Sequence, residues 1–488
     1  MDITSKYNDL LKDHIDLKHR FEVMEQQLSY FLKLHNGSRS ERMPKGKVVD
    51  EKQTEILFDG QQIIDTPIEE STQNTTNKKS RKKGLAKRLV LPKDLPTKDI
   101  YLKPKNLPEN AQKIGAEVVE VLDYQPSKLI KLCFHRERYV IPLEDERFES
   151  LMADYPSRIP IPKGNVSASL LSYLLVSKFV DHLPIYRLIQ MFKRDQIVIS
   201  DSTINNWIKK SAELLEELYQ LLTQKVQQSN YVQADETTIK LSKKGGAVKA
   251  YMWAYHAPCE KIACFQFNRG RGAVHAKKFF DDFTGKYIQV DGYAGYDYLG
   301  NHKEVTLVAC LAHIRRKFFE AQKNDKKRAL YALKEIGKIY EIERALKEKE
   351  ASVRQQKRKE QILPILMDLK EWIKENAIYT TPKQDLGKAF QYFLNMFDRM
   401  VNYAEDGLLL PDNNLIENQI RPIAIGRKNY MFVGSESGGQ WAAMFYSFFA
   451  TCKLNGVNPV QWLTHVLENI HTTPKDKLEA LLPQNFEG

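Results

Sequence analysis

The sequence predicts an α/β protein built around a mixed β-sheet covered by helices. Three observations carry this. Residues 230 to 312 hold five short strand-like runs in the order strand, strand, strand, helix, strand, strand, followed by a helix. Residues 322 to 405 are almost wholly helical and highly charged, as an insertion into the sheet would be. Residues 167 to 225 have helical period and precede the sheet. The chain of 488 residues is 42% hydrophobic and 28% charged, which excludes a fibrous or wholly disordered protein.

The elements follow in order. Tyr7, Leu10, His14, Leu17, Phe21, Met24, Leu28 and Phe31 are spaced alternately by three and four, a heptad seam within residues 1–43. It predicts either a coiled coil joining two protomers or an amphipathic helix docked on its own domain. Residues 44–99 read as a disordered basic linker. From Lys78 to Arg88 it has seven Lys or Arg and no acid; a solvated tail and a segment gripping phosphates both fit. Lys82, Lys83 and Arg88 are its candidate DNA contacts. Residues 100–150 read as a small β module, with strands expected in AEVVEVLDY and KLIKLCF.

Residues 151–226 hold three predicted helices, SASLLSYLLVSKFVDHL, PIYRLIQMFKR and DSTINNWIKKSAELLEELYQLL, the last capped by Asp201 or Ser202. A helix-turn-helix and a generic bundle both suit the pattern. In the first case the reading face carries Thr203, Asn205, Asn206, Lys209 and Lys210. Residues 227–321 form the first part of the core. Three strands are joined as a meander, and the third and fourth are expected to pair in parallel across the helix AVHAKKFFDDF. Residues 322–405 are the insertion, 406–470 the second part of the core, and 471–488 a tail.

Lys plus Arg total 74 against 62 acids, a net charge of +12 that suits a polyanionic partner. Five cysteines (Cys133, Cys259, Cys264, Cys310, Cys452) without a C-x-x-C pair exclude a disulfide framework and an all-cysteine zinc site. The N-terminus lacks the apolar segment of a signal peptide, and the apolar runs fall short of the roughly 18 residues of a membrane span. A cytoplasmic, nucleoid-associated chain with no membrane partner is the expectation.

Two acids end strands, Asp235 after YVQA and Asp291 after YIQV, and Glu417 opens a predicted helix in DNNLIENQIRP. Three carboxylates with nothing softer favour Mg²⁺ or Mn²⁺. Two such ions roughly 3.5–4 Å apart activate attacking and leaving oxygens in phosphodiester chemistry. Each acid also has a plain structural reading. Asp235 would end a strand, Asp291-Gly292 would form a turn, and Glu417 would complete a capping box with Asn414.

The helix-turn-helix-like segment, ADETTIK, VDGYAGYD, CLAHIRRKF and DNNLIENQIRPIAIGRKNYMFVGSESGG together resemble the IS66 family of bacterial insertion-sequence transposases, in order from about Ile159 to Pro459. The resemblance implies a DDE transposase with a ribonuclease-H-like core. Asp235, Asp291 and Glu417 would be its catalytic residues and metal ligands, with two Mg²⁺ or Mn²⁺ ions. It implies cleavage at terminal inverted repeats and strand transfer into target DNA. Arg421, four residues after Glu417, becomes a candidate to hold a phosphate beside the metals or only to pair with Glu417; Arg427, Lys428, Arg315 and Arg316 become candidate backbone-phosphate contacts, each alone also readable as surface charge. Pro422 should bend or end its helix soon afterwards. Cys310 reads as a buried thiol and His313 as a helix-start or site-lining residue. GSESGGQW reads as a phosphate cradle or a plain turn.

One departure stands out. Family members commonly carry cysteine pairs for zinc between the basic linker and the helical domain; here that module has none, so no zinc is expected. A homo-oligomer joined by the N-terminal seam and accessory proteins of the same element are the expected partners. A catalytically silent DNA-binding descendant and a ribonuclease-H-like nuclease are the competing readings.

Overall fold

The computed structural model describes residues 129, 131–134, 138–142, 148–152 and 156–487, apart from 163, 302 and 303. The N-terminal seam, the basic linker with Lys82, Lys83 and Arg88, and the stretch AEVVEVLDY lie outside the described residues. Two compact units are present, one of them residues 64–154. Its described part is an antiparallel hairpin of β1 (Arg138–Pro142) and β2 (Phe148–Met152). Residues 131–134 of KLIKLCF are not a strand, contrary to expectation. Leu132 and Phe134 are exposed, so this alternation buries no face, and pairing starts only where RYVIP meets FESLM.

In the other unit, helices α1 (Ala168–Phe179), α2 (Ile185–Arg194), α3 (Asp201–Leu214) and α4 (Glu216–Gln227) precede the sheet. The cap of α3 is Ser200, not Asp201 or Ser202: its extended backbone lets Oγ accept from the Thr203 N–H at 3.1 Å. The expected long third helix breaks at Leu215 into α3 and α4.

The five strands β3 (Tyr231–Lys243), β4 (Gly246–Ala257), β5 (Ile262–Asn268), β6 (Tyr287–Val290) and β7 (Thr306–Ala309) form one mixed sheet of order β5-β4-β3-β6-β7. The first three make the expected antiparallel meander. The fourth strand does not join the third. After α5 (Ala273–Phe280) the chain crosses back, and β6 pairs in parallel with β3. Tyr231 to Ala234 are all buried, so they need a neighbour on their second side, and a crossover to β3 supplies it.

The free edge of β5 is closed by α12 (Glu436–Leu454). Its Ser447 and Thr451 hydroxyls accept from the Phe265 and Ala263 N–H groups at 2.7 and 3.2 Å. This edge therefore has side-chain partners for backbone donors that a further strand would otherwise satisfy.

Helices α6 (Leu311–Ala321), α7 (Lys326–Leu346), α8 (Ala351–Lys357), α9 (Leu363–Ala377) and α10 (Asp385–Asn402) follow β7. A π-helical turn, Arg358–Ile362, links α8 to α9. Despite its charge the segment is not merely solvated. Ile336, Ile373, Phe390 and Phe393 share one core with Tyr231, Tyr287 and Val308 of the sheet. The chain then forms α11 (Asn414–Tyr430), α12 and α13 (Pro459–Asn469). Helix α11 does not end at Pro422 but runs on for two further turns. Buried Ile416, Ile420 and Ile423 hold it on the sheet, offsetting the hydrogen bond that proline removes. No helix among the described residues is long and apolar enough to cross a membrane.

Candidate active site

Two five-residue stretches with the same pattern, YVQAD (231–235) and YIQVD (287–291), lie side by side. Tyr231 faces Tyr287 and Gln233 faces Gln289 in the parallel register of β3 and β6. Asp235 and Asp291 each follow the paired glutamines by two residues. Strand alternation places both on the glutamines' face, on neighbouring chains roughly 4.8 Å apart. The repeat was visible in the sequence; its meaning depended on which strands pair.

The glutamines form a fully buried lattice beneath the aspartates. Gln233 Nε2 donates to Gln289 Oε1 at 2.9 Å and to the Asp412 carbonyl at 3.0 Å. Gln289 Nε2 donates to the carbonyls of Leu410 and Ala309 at 2.8 and 3.1 Å. The Tyr231 hydroxyl donates to Gln289 Oε1, and His256 Nδ1 meets Gln233 Oε1 at 3.1 Å. The segment 410–412, which leads into α11, is thus tied to the strands that carry the aspartates.

Helix α11 lies along β3. Arg427 donates from Nη1 to the Thr238 carbonyl at 2.6 Å and to both threonine hydroxyls, Thr237 and Thr238, at 3.1 Å. The capping box does not form: Asn413 is the cap residue, without a side-chain bond. Glu417 instead turns to α6. His313 Nε2 stands 3.8 Å from its Oε1 and Arg316 Nη2 3.6 Å from its Oε2, and Oε1 accepts no hydrogen bond. Cys310 is buried, as expected, and its sulfur accepts from the Asn413 N–H at 3.2 Å.

Electrostatics link the three acids. Burial pushes the Asp235 carboxyl well above the usual range, and Glu236, Asp291 and Glu417 push it further; one N–H, that of Glu236, opposes them. Asp291 also has the local role open to it, since Oδ1 accepts from Tyr293 N–H at 2.9 Å. Its neighbour Gly292 is obligatory for a different reason: a Cβ there would lie 2.5 Å from the ring of Tyr392 on α10. Tyr392 accepts from the Gly292 N–H at 3.0 Å, and Arg399 of the same helix pairs with Asp297 at 2.7 Å. The helical insertion therefore grips both ends of the VDGYAGYD motif.

Among the described residues, no three His, Cys, Asp or Glu side chains stand close enough to share one ion as placed. The donor set still suits a hard divalent cation. It is all carboxylate, mutually repulsive and half-buried, with an unpartnered oxygen on Glu417.

Sequence reasoning missed Glu236, which sits on the opposite face of β3. Arg271 Nε donates to its Oε1 at 2.6 Å and the Tyr296 hydroxyl to its Oε2 at 3.0 Å. Arg271 also stacks over Tyr293, 4.0 Å from the ring centroid. Only its place beside Asp235 in ADETT could have signalled it. In GSESGG, Ser435 caps α12 by accepting from Gly438 N–H at 3.0 Å, and Gly439 lets that helix approach Phe267. The motif is thus a helix start packed closely on the sheet.

The remaining predicted contacts are spread more widely. Arg315 and Arg421 are half-buried, and Lys428 is exposed. Asn205 and Asn206, Lys209 and Lys210 are exposed on α3. However, Asn205 Nδ2 bonds back to Asp201, and both lysines reach Glu213.

The model described as "Transposase IS66 family" matches residues 163–441, more than half of the chain, and that of the IS66 C-terminal element matches residues 447–484. The chain belongs to the IS66 transposase family. Two Sinorhizobium fredii relatives are both described as uncharacterized. One, y4qI, is 30% identical over 77% of this chain and 72% of its own length. The other, y4jD, is 28% identical over 99% of this chain and 98% of its own. Membership of the IS66 family supports a transposase function, with the DNA cleavage and transfer that this implies.

Proposed function

We propose that this IS66-family protein is a DDE transposase with a ribonuclease-H-like core. In this reading Asp235, Asp291 and Glu417 hold two Mg²⁺ or Mn²⁺ ions. The observation that carries the proposal is the in-register pair of Y-x-Q-x-D strands, with Glu417 near enough to raise the Asp235 pKa. Ions held there would supply Lewis acidity to the attacking and leaving oxygens of a phosphodiester.

The chain's own residues do the positioning. The glutamine lattice fixes both aspartates and the approach to α11, and Arg427 fixes that helix along β3. Arg316 pairs with Glu417 here and lies where it can neutralise a scissile phosphate once cations occupy the acids. Water would serve as nucleophile in end cleavage. The freed 3′-hydroxyl would then attack target DNA, exchanging one phosphodiester for another. The exposed face of α3, the basic linker and Lys428 are the proposed DNA contacts outside the acids, with at least two protomers needed to join two ends.

Replacing Asp291 with Asn tests the site: Mg²⁺-dependent end cleavage should fall by at least a hundredfold, and undiminished cleavage would reject it. A marked donor end appearing in joined products separates a transposase from a nuclease that only hydrolyses.

A further inference from the structure

Residues 237–259 and 418–435 contain no acid, yet carry Lys240, Lys243, Lys244, Lys249, Arg421, Arg427 and Lys428. Folding laces the two stretches together. Arg427 holds Thr238, the Val433 N–H donates to the Lys240 carbonyl, and the Ser242 N–H donates to the Val433 carbonyl, the last two at 2.8 Å. Leu241 and Val433 bridge in parallel. Helix α11 and strand β3 therefore run in the same direction from the acids. Strand β3 ends at the β3–β4 hairpin tip and the turn after α11 meets it at Leu241; along this hairpin Lys240, Lys243, Lys244 and Lys249 are all exposed.

The turn after α11 adds a second observation. Met431 adopts φ 63°, a left-handed backbone that a methionine rarely takes. Strain of this kind persists where the surroundings hold it, and here both flanks are hydrogen-bonded. The turn holds two apolar side chains outward among the cations, Met431 at 62% and Phe432 at 45% exposure.

We propose that the hairpin tip and this turn form a track for the duplex that leads away from the reacting phosphodiester. The proposal rests on the transposase reading. Lys243 lies on the face of Asp235, while Lys240 and its cross-strand partner Lys249 lie on the other, so cations line both sides of the hairpin where the two phosphate lines of a duplex can pass, and Met431 and Phe432 suit the sugar and base edges between them. Asp235 and Lys243 are eight residue steps apart along the strand, about 26 Å at roughly 3.3 Å each. At about 3.4 Å per nucleotide step, the track should reach roughly eight base pairs from the cut.

The test uses the full-length chain and a variant with Lys240, Lys243, Lys244 and Lys249 all changed to Ala. On a mixed-sequence 30-base-pair duplex, the slope of log affinity against log salt should weaken by about 2–4. Met431→Ala with Phe432→Ala should weaken affinity several-fold while leaving that slope alone. On a duplex carrying the element's end, hydroxyl-radical protection around the eighth nucleotide should be lost in the lysine variant. An unchanged slope and footprint in a lysine variant that melts like wild type overturns the track, while wild-type cleavage keeps the parent reading. A wild-type chain that neither binds nor cuts DNA overturns both.

Discussion

Gln289→Leu removes a side chain of similar size from the lattice beneath the aspartates. Gln289 is fully buried and makes four hydrogen bonds, donating to Leu410 and Ala309 and accepting from Gln233 and Tyr231. Gln233 Nε2 keeps the Asp412 carbonyl as a partner. Two carbonyls and one hydroxyl each lose a partner. At about 1–2 kcal/mol for each buried group left bare, and less about 1 kcal/mol for the added apolar burial, the variant should lose roughly 3 kcal/mol. Urea unfolding followed by tryptophan fluorescence measures this, with Trp253 in the core of the same sheet. Below the transition, Mg²⁺-dependent cleavage should also fall, because the lattice holds segment 410–412 ahead of Glu417. A loss under about 1 kcal/mol with normal cleavage would refute the claim that this lattice positions the site.

Two further predictions concern stability. Burial lowers the His256 imidazole to about 4 from 6.5, so it is neutral in the fold while the unfolded chain takes up a proton below pH 6.5. Its contribution is fully present above about pH 6.5 and is lost as pH falls toward 4, by about 2 kcal/mol between pH 7.5 and 5; a His256→Gln variant, measured by urea unfolding at both values, should lack this loss. Arg358 is fully buried in the π-turn, pairs with both oxygens of Glu343 at 2.7 and 2.9 Å, and donates to the carbonyls of Tyr403 and Asp406. Arg358→Met should cost about 3–5 kcal/mol by stranding Glu343, and a double change to Arg358→Met with Glu343→Met should restore much of it in the same assay.

Much of the fold is legible because hydrophobic period switches cleanly along the chain. Short apolar runs such as YIQV and AYMWAYHA, and the three-four spacing within DLGKAFQYFLNMF, name their elements without tertiary information. What stays hidden is what tertiary packing decides. The partner of β6 depends on which strand has an unfilled, buried side, so the crossover to β3 could not be read from local pattern. Ser200 wins the cap of α3 over Asp201 and Ser202 because one backbone conformation, not composition, selects among adjacent polar residues. Pro422 is tolerated because three isoleucines bind its helix to the sheet. Asp291 and Glu417 stand at a strand end and a helix start as expected, but Asp235 does not end its strand: it lies inside β3, paired with Ala254, because the β3–β4 ladder continues to Lys243. Their supports, Gln233, Gln289 and Tyr392, carry no local signal of that role; it follows only from the strand register and the packing of the insertion.

Counting bound Mn²⁺ on the full-length chain by electron paramagnetic resonance, with and without end DNA, shows whether the three acids hold the ions. With end DNA, wild type should take up two ions per protomer. Asp235→Asn, Asp291→Asn and Glu417→Gln should each lose at least one of them or bind about tenfold more weakly. If all three variants keep the wild-type complement and affinity, the acids do not hold the ions and the account fails.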